Sequence, residues 1–364
     1  MPSLSSRSLL LFLLPLFDIQ RCLAVPPLSP NSTTPECSCY QPAGNTEAVF
    51  LNHQFFDFRS LDNETFVSNL TAPAAVRPSQ NEGIEPLTSP FFDTGFFGDY
   101  FIPGSWSREA SEAAPVALVN SHQNLYLARD APDSPVHLTL RTNRLPSFQS
   151  ASALETTEAA YLHASIHVRA RISGSPGACA GIFTYLTDEQ ESDIEILTRD
   201  EKSTVRATNQ PGVDANGTVI PEASTQIAVT QPGGTALGSW TDWNDYQLNW
   251  LPGRSEWLIN GMSKLNKTYG VPRESSNIQL RMWSNGGTWP GNMTVGGEAT
   301  LDIEWIDLVY NTSHDAPGAT CTTVCSIDNF ARNPQPQIAS GTVGSLQLGT
   351  SLWALVLWAA IALW

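Results

Sequence analysis

From about Thr46 to Asn311 apolar residues recur in short runs, often at every second position, and Gly, Pro, Asn or Asp breaks each run. Such alternation turns one set of side chains to a core and the other to the opposite face, the pattern of a β-strand. The early runs are AVFLNHQFFDFRSL (48–61), VALVN (116–120), NLYLARD (124–130), VHLTLRTNRL (136–145), YLHASIHVRARI (161–172) and GIFTYLT (181–187). The later ones are SDIEILT (192–198), DYQLNWLPG (245–253), SEWLING (255–261), IQLRMWSNGG (278–287) and ATLDIEWIDLVYN (299–311). No stretch sustains a helical apolar stripe for three turns, which argues against a helical bundle. Leu251-Pro252-Gly253-Arg254 and Asn260-Gly261 are turn signals, the second of the hairpin type. The pattern predicts one all-β domain over 46–312, a sandwich of two antiparallel sheets.

The ends read as addresses. Ser8–Phe17 is an apolar SLLLFLLPLF behind Arg7, and Cys22-Leu23-Ala24 resembles a small-x-small cleavage site, so 1–24 is expected to be a secretory signal peptide. At the other end, small residues at Ala339-Ser340-Gly341 precede a polar spacer and the apolar tail SLWALVLWAAIALW, which ends at Trp364. That order matches a signal for a glycosylphosphatidylinositol anchor over 341–364, with a retained membrane helix as the alternative. Sequons at Asn31, Asn63, Asn69, Asn216, Asn266, Asn292 and Asn311 fit a glycosylated, secreted surface. The expected location is therefore the cell surface or cell wall.

Removing the signal leaves five cysteines. Cys37 and Cys39 lie in an expected N-terminal linker, 25–45, and Cys321 and Cys325 in a C-terminal one, 313–340. In an oxidising compartment these two pairs are expected to bridge each other and tie the ends of the domain together. A zinc site is the rival reading. Cys179 remains, expected as a buried thiol that packs like a small hydrophobe. The formal charge of -16 argues against nucleic acid and against a polybasic attachment to anionic lipid.

The chemistry concentrates in Glu191-Ser192-Asp193-Ile194-Glu195-Ile196-Leu197. In a strand, Glu191, Asp193 and Glu195 share one face and Ser192, Ile194 and Ile196 the other. The preceding run, Ala180-Gly181-Ile182-Phe183-Thr184-Tyr185, reads as a central strand rather than a solvated edge. Three acids crowded there repel one another, which raises a carboxyl pKa and keeps a general acid protonated near neutrality. Trp240, Trp243, Trp250, Trp257, Trp283 and Trp289 crowd the later strands. Flat rings beside acids suit a sugar-binding cleft.

Here the chain resembles glycoside hydrolase family 16, and among its branches the secreted fungal cell-wall members with an anchor signal. FFDFRSL (55–61), LTLRTNRL (138–145), GIFTYLTDEQESDIEILT (181–198), TNQPG (208–212), DWNDYQLNWLPGRSEWLING (242–261) and MWSNGGTWPGNM (282–293) carry the resemblance. It implies a concanavalin A-like β-jelly-roll and a retaining glycosidase of the endo-β-glucanase type acting on β-glucan. Glu191 would be the nucleophile, Glu195 the general acid/base, and Asp193 would hydrogen-bond the nucleophile and tune its protonation. Trp283, Trp289, Trp243 and Asn209 are the candidates for binding sugar. Ser192 departs from the family, where an aliphatic residue is commoner.

Retention needs carboxyls about 5 to 5.5 Å apart, whereas Cα atoms four residues apart in a strand stand roughly 13 Å apart. Two long Glu side chains leaning over a curved sheet would close that gap. No cofactor is expected and no metal site is assigned; structural calcium occurs in parts of the family. The partners expected are a β-glucan polysaccharide and, through the anchor, a membrane, with the chain a monomer. A wall-remodelling transglycosylase would use the same residues, and a glucan-binding wall protein without activity would share the sandwich.

Overall fold

A computed structural model describes residues 37–44, 47–67, 70, 72–73, 85–316, 319–327 and the short strand Gln337–Ile338. The chain divides into two units, Met1–Glu36 and Cys37–Trp364. The expected signal peptide, the sequons at Asn31 and Asn69 and the apolar tail lie outside the described residues.

Each of the eleven alternating runs contains a strand. Two strands form the spine of one sheet, Tyr161–Gly174 and Glu298–Thr312, paired antiparallel along nearly their whole length. Their alternation explains their place. Ala164, Ile166, Val168, Ala170 and Ile172 point inward and are fully buried, while His167, Arg169 and Arg171 stand on the other face. On one side of this spine follow Asn244–Leu251, Arg254–Ile259 and Met262–Lys267. On its other side Asn52–Asp57 and His137–Arg144 share the edge of the long last strand, and Leu125–Ala128 pairs with the latter. Asn260 and Gly261 both adopt positive φ, 51° and 73°, as a tight hairpin between strands of natural twist requires.

The second sheet runs, neighbour by neighbour, Ser224–Ala228, Thr204–Asn209, Gln190–Leu197, Cys179–Thr187, Asn277–Trp283, Gln149–Thr156 and Phe101–Pro103, all antiparallel. Gln149–Thr156 belongs to both sheets. Its first residues pair with His137–Arg144 and, in parallel, with Leu118–Asn120, and its last residues pair in the second sheet. The result is an all-β, jelly-roll-like sandwich. Ile182, Ile194, Ile196, Leu280 and Met282 of the second sheet meet Tyr246, Leu248, Trp250 and Trp257 of the first in one core. Trp257 Nε1 donates to the carbonyl of Asp193 at 2.8 Å, which fastens the acidic strand from beneath.

The expected linkers are in part folded. Disulfides join Cys37 to Cys325 and Cys39 to Cys321. Cys39–Gln41, Val324–Ser326 and Gln337–Ile338 form a small sheet of their own. Ile327 is buried with Phe50, Leu251 and Val309, so the cross-linked ends pack on the sandwich. Their polar composition hid a contact that covalent bonds make permanent.

Candidate active site

Alternation and register place the acids. In Gln190–Leu197, Ser192, Ile194 and Ile196 point into the sandwich, so Glu191, Asp193 and Glu195 emerge on the outer face of the second sheet. The strand is central, as its sequence implied. On the side of Cys179–Thr187, Glu191 stands opposite Tyr185, Asp193 opposite Phe183 and Glu195 opposite Gly181. On the side of Thr204–Asn209, Asp193 stands opposite Thr208 and Glu195 opposite Arg206.

Each carboxyl has a different setting. Glu195 Oε1 accepts from Trp289 Nε1 at 3.0 Å and from Cys179 Sγ at 3.3 Å. Both donors converge on one oxygen, which leaves Oε2 to carry a proton. Burial pushes the Glu195 pKa above the usual carboxylate range, while these donors and the Arg206 charge hold it back. Glu191 and Asp193 share a hydrogen bond. Burial pushes Glu191 up to about 7, against the bond from Asp193 and the Arg281 charge and with the help of the Glu195 and Asp188 charges. Asp193 is raised well above its ordinary value, first by burial and then by the charges of Glu191 and Glu195. Their contact lowers the Glu191 pKa and raises that of Asp193, so the proton between them favours Asp193.

Further along the same face, Arg281 follows two strands from the acids. Its guanidinium lies over the Trp106 ring at 4.7 Å and the Phe183 ring at 5.3 Å and pairs with Glu155 at 3.2 Å. Trp106 Nε1 donates to the same Glu155 Oε1 at 2.8 Å. Aromatic faces and fixed polar groups therefore continue the outer face beside the carboxylates.

The candidates for binding sugar divide. Trp289 touches Glu195. Trp283 ends the strand that carries Arg281 on the outer face, opposite Cys179 and half-buried. Trp243 is a correction. It lies across the molecule on the outer face of the first sheet, with the Arg171 guanidinium 4.5 Å from its ring centre and His137 beside it. Asn209 is a second correction. It pairs in register with Ser192, so its side chain points inward, where it accepts from Ser192 Oγ at 2.6 Å and donates to the Tyr269 carbonyl at 2.8 Å. Trp240, Trp250 and Trp257 belong to the core.

The Ser192 departure also finds its reason: its hydroxyl, fully buried, has Asn209 and Ser255 as partners. Cys179 is free and buried, as expected, but it serves the acid as a donor rather than merely packing. Of the sequons in the described residues, Asn63, Asn216, Asn266 and Asn292 are exposed, while Asn311 is half-buried and accepts from the Leu51 amide at 2.9 Å.

Cys179, Arg206 and the Trp106–Glu155–Arg281 group escaped the sequence reading. Cys179 carried a signal, since a hairpin turn after Thr187 sets Cys179, Gly181, Phe183 and Tyr185 on the face of the acids. Glu155 and Arg281 lie 126 residues apart, and only the sheet order brings them together.

The profile of glycosyl hydrolases family 16 matches residues 116–307. A beta-glucanase of Paenibacillus polymyxa is 22% identical over 142 residues, which cover 37% of this chain and 54% of that protein, about half its length. A beta-glucanase of Paenibacillus macerans is 21% identical over 186 residues, covering 49% of this chain and 72% of that protein. Among solved structures, the beta-glucanase of Bacillus licheniformis aligns at 16% identity and a TM-score of 0.44, over 58% of this chain and 93% of its own. The laminarinase catalytic domain of Thermotoga maritima MSB8 aligns at 17% and 0.44, over 60% and 95%.

Proposed function

The chain belongs to glycosyl hydrolases family 16, and from that premise we propose that it is a retaining endo-β-glucanase working by double displacement on the β-glucan of a fungal wall. One observation carries the reading. Three acids share the outer face of a central strand, and the two glutamates are held by different partners, Glu191 by Asp193 and Glu195 by Trp289 and Cys179.

In the first displacement a Glu191 carboxylate oxygen attacks the anomeric carbon while Glu195 Oε2 gives its proton to the departing glycosidic oxygen. The products are a glycosyl ester on Glu191 and a free sugar hydroxyl. Asp193 supports this step by keeping its proton and donating to Glu191, which steadies the carboxylate before attack and after release. In the second displacement Glu195, now ionised, takes a proton from water, and the water oxygen attacks the anomeric carbon and frees Glu191. A sugar hydroxyl in place of water gives transfer rather than hydrolysis. The two disulfides fit secretion into an oxidising compartment, and the apolar tail fits a lipid anchor at the cell surface.

The test is turnover of a mixed-linkage β-glucan and a β-1,3-glucan by the secreted protein. Glu191→Gln and Glu195→Gln should each lower kcat by a factor of about a thousand or more with the fold intact. Wild-type-like turnover by folded Glu191→Gln would refute the assignment.

A further inference from the structure

Outside the three acids, Arg206 is a charged side chain beside the reacting groups. It stands opposite Glu195 in the strand register, on the same outer face. Its guanidinium lies over the Trp289 ring, 4.8 Å from the centre. Two of its nitrogens, Nε and an Nη, reach Asp200 Oδ2 at 2.8 Å each, and both side chains are largely covered, at 17% and 16% exposure. Trp289 in turn donates to Glu195 Oε1. Asp200, Arg206, Trp289 and Glu195 thus form a continuous chain of contacts.

We propose that Arg206 is a positioning residue for Glu195: it holds the Trp289 indole against Oε1 and supplies the positive charge facing the acid from the next strand. The inference rests on Glu195 being the acid/base. A planar guanidinium suits both tasks, because it stacks flat on an indole while its edge is fixed by a carboxylate. Trp289 follows Gly286 and Gly287 in a turn between strands, outside the ladder that fixes its neighbours. With one ring face under Arg206, only the other face is open to a sugar.

The sign of the electrostatic effect follows from the neighbours of Glu195. Burial disfavours its ionised form, and the carboxyls of Glu191 and Asp193 share its face of the strand. Arg206 from one neighbouring strand favours that form, as do the Cys179 thiol from the other and the Trp289 indole from the loop. Arg281, one strand beyond Cys179–Thr187, answers chiefly to Glu155 and Glu191. Removing the Arg206 charge therefore raises the pH at which Glu195 loses its proton.

Two readouts test this. In the pH dependence of kcat/KM on mixed-linkage β-glucan, Arg206→Gln should move the alkaline limb upward by roughly one unit. It should also lower kcat about tenfold through the loosened indole, with KM little changed. Arg206→Lys, which keeps the charge but not the flat stack, should hold the limb near its wild-type position while kcat still falls. The second readout needs no substrate. The indole ¹⁵N–¹H signal of Trp289, identified by its loss in Trp289→Phe, should titrate with Glu195 in the wild type. In Arg206→Gln its midpoint should be higher. A folded Arg206→Gln protein with an unmoved indole midpoint overturns the proposal, whatever happens to kcat. A wild type that cleaves no β-glucan while the midpoint still shifts overturns the glucan reading and leaves Arg206 in its role.

Discussion

No protein donor reaches Asp193 Oδ2, which is buried. An ionised carboxylate in that position would be costly, and a proton shared with Glu191 removes the cost. Glu191 bears the complementary burden, with a pKa lifted from 4.5 to about 7. The consequence for stability has a definite sign. Below about pH 4.5 the group is protonated in folded and unfolded chains alike and costs nothing. As pH rises the unfolded chain ionises first, so folding loses stability, and by about pH 7.5 the loss is complete, on the order of 1 to 3 kcal/mol. Glu191→Gln removes that loss. Its Tm should match the wild type at pH 4 and exceed it by several degrees at pH 7.5, read by thermal melts across the range. A Tm difference that stays flat with pH would contradict the raised pKa. The acids themselves were legible in the sequence, because alternation alone sets Glu191, Asp193 and Glu195 on one face. Trp243 and Asn209 misled because proximity along the chain does not tell which sheet, or which face, a side chain occupies.

At the scale of the strand, the acidic segment is fixed on both sides of the sheet. Its outer face bears the acids, and its inner face is secured by Trp257 to the Asp193 carbonyl and by Ser192 to Asn209 and Ser255. Asn209 links this strand to the segment at Tyr269. Asn209→Ala takes the donor from the Tyr269 carbonyl and leaves the buried Ser192 hydroxyl with Ser255 alone, which costs about 1 to 3 kcal/mol. The melting temperature should fall by several degrees, and turnover should fall in proportion to the folded fraction. An unchanged melt would mean that the inner face does not need this link. Strands rich in Val, Ile, Leu and aromatics were legible, and each of the alternating runs holds one. Gln149–Thr156, Thr204–Asn209, Ser224–Ala228 and Met262–Lys267 were not. Their residues are small or polar, and partners distant in sequence bury them: Gln149 donates to Met293 Sδ, and the Lys267 ammonium to the carbonyls of Ala207, Glu222 and Ala223.

At the scale of the molecule, two sheets share one core, and the disulfides join the segments before and after it, closing loops of 288 and 282 residues. Closing loops that long removes much of the freedom of the unfolded chain. Pairing between the two cysteine clusters was legible from their positions, and the small sheet around them was not, since Cys39–Gln41 and Val324–Ser326 are too short to show a period. The acids stand on the outer face of the second sheet, on one central strand, with Arg281 and Glu155 on the strands beyond and Trp106 on the segment that follows Phe101–Pro103.

On the proposed mechanism Glu191 and Glu195 work by double displacement on β-glucan. The most direct measurement is ¹H NMR of the secreted protein acting on a mixed-linkage β-glucan oligosaccharide, recorded before the products mutarotate. The β-anomer of the new reducing end should appear first, with the α-anomer growing in later. An α-anomer first would mean a single inverting displacement and would contradict the roles assigned to the acidic strand.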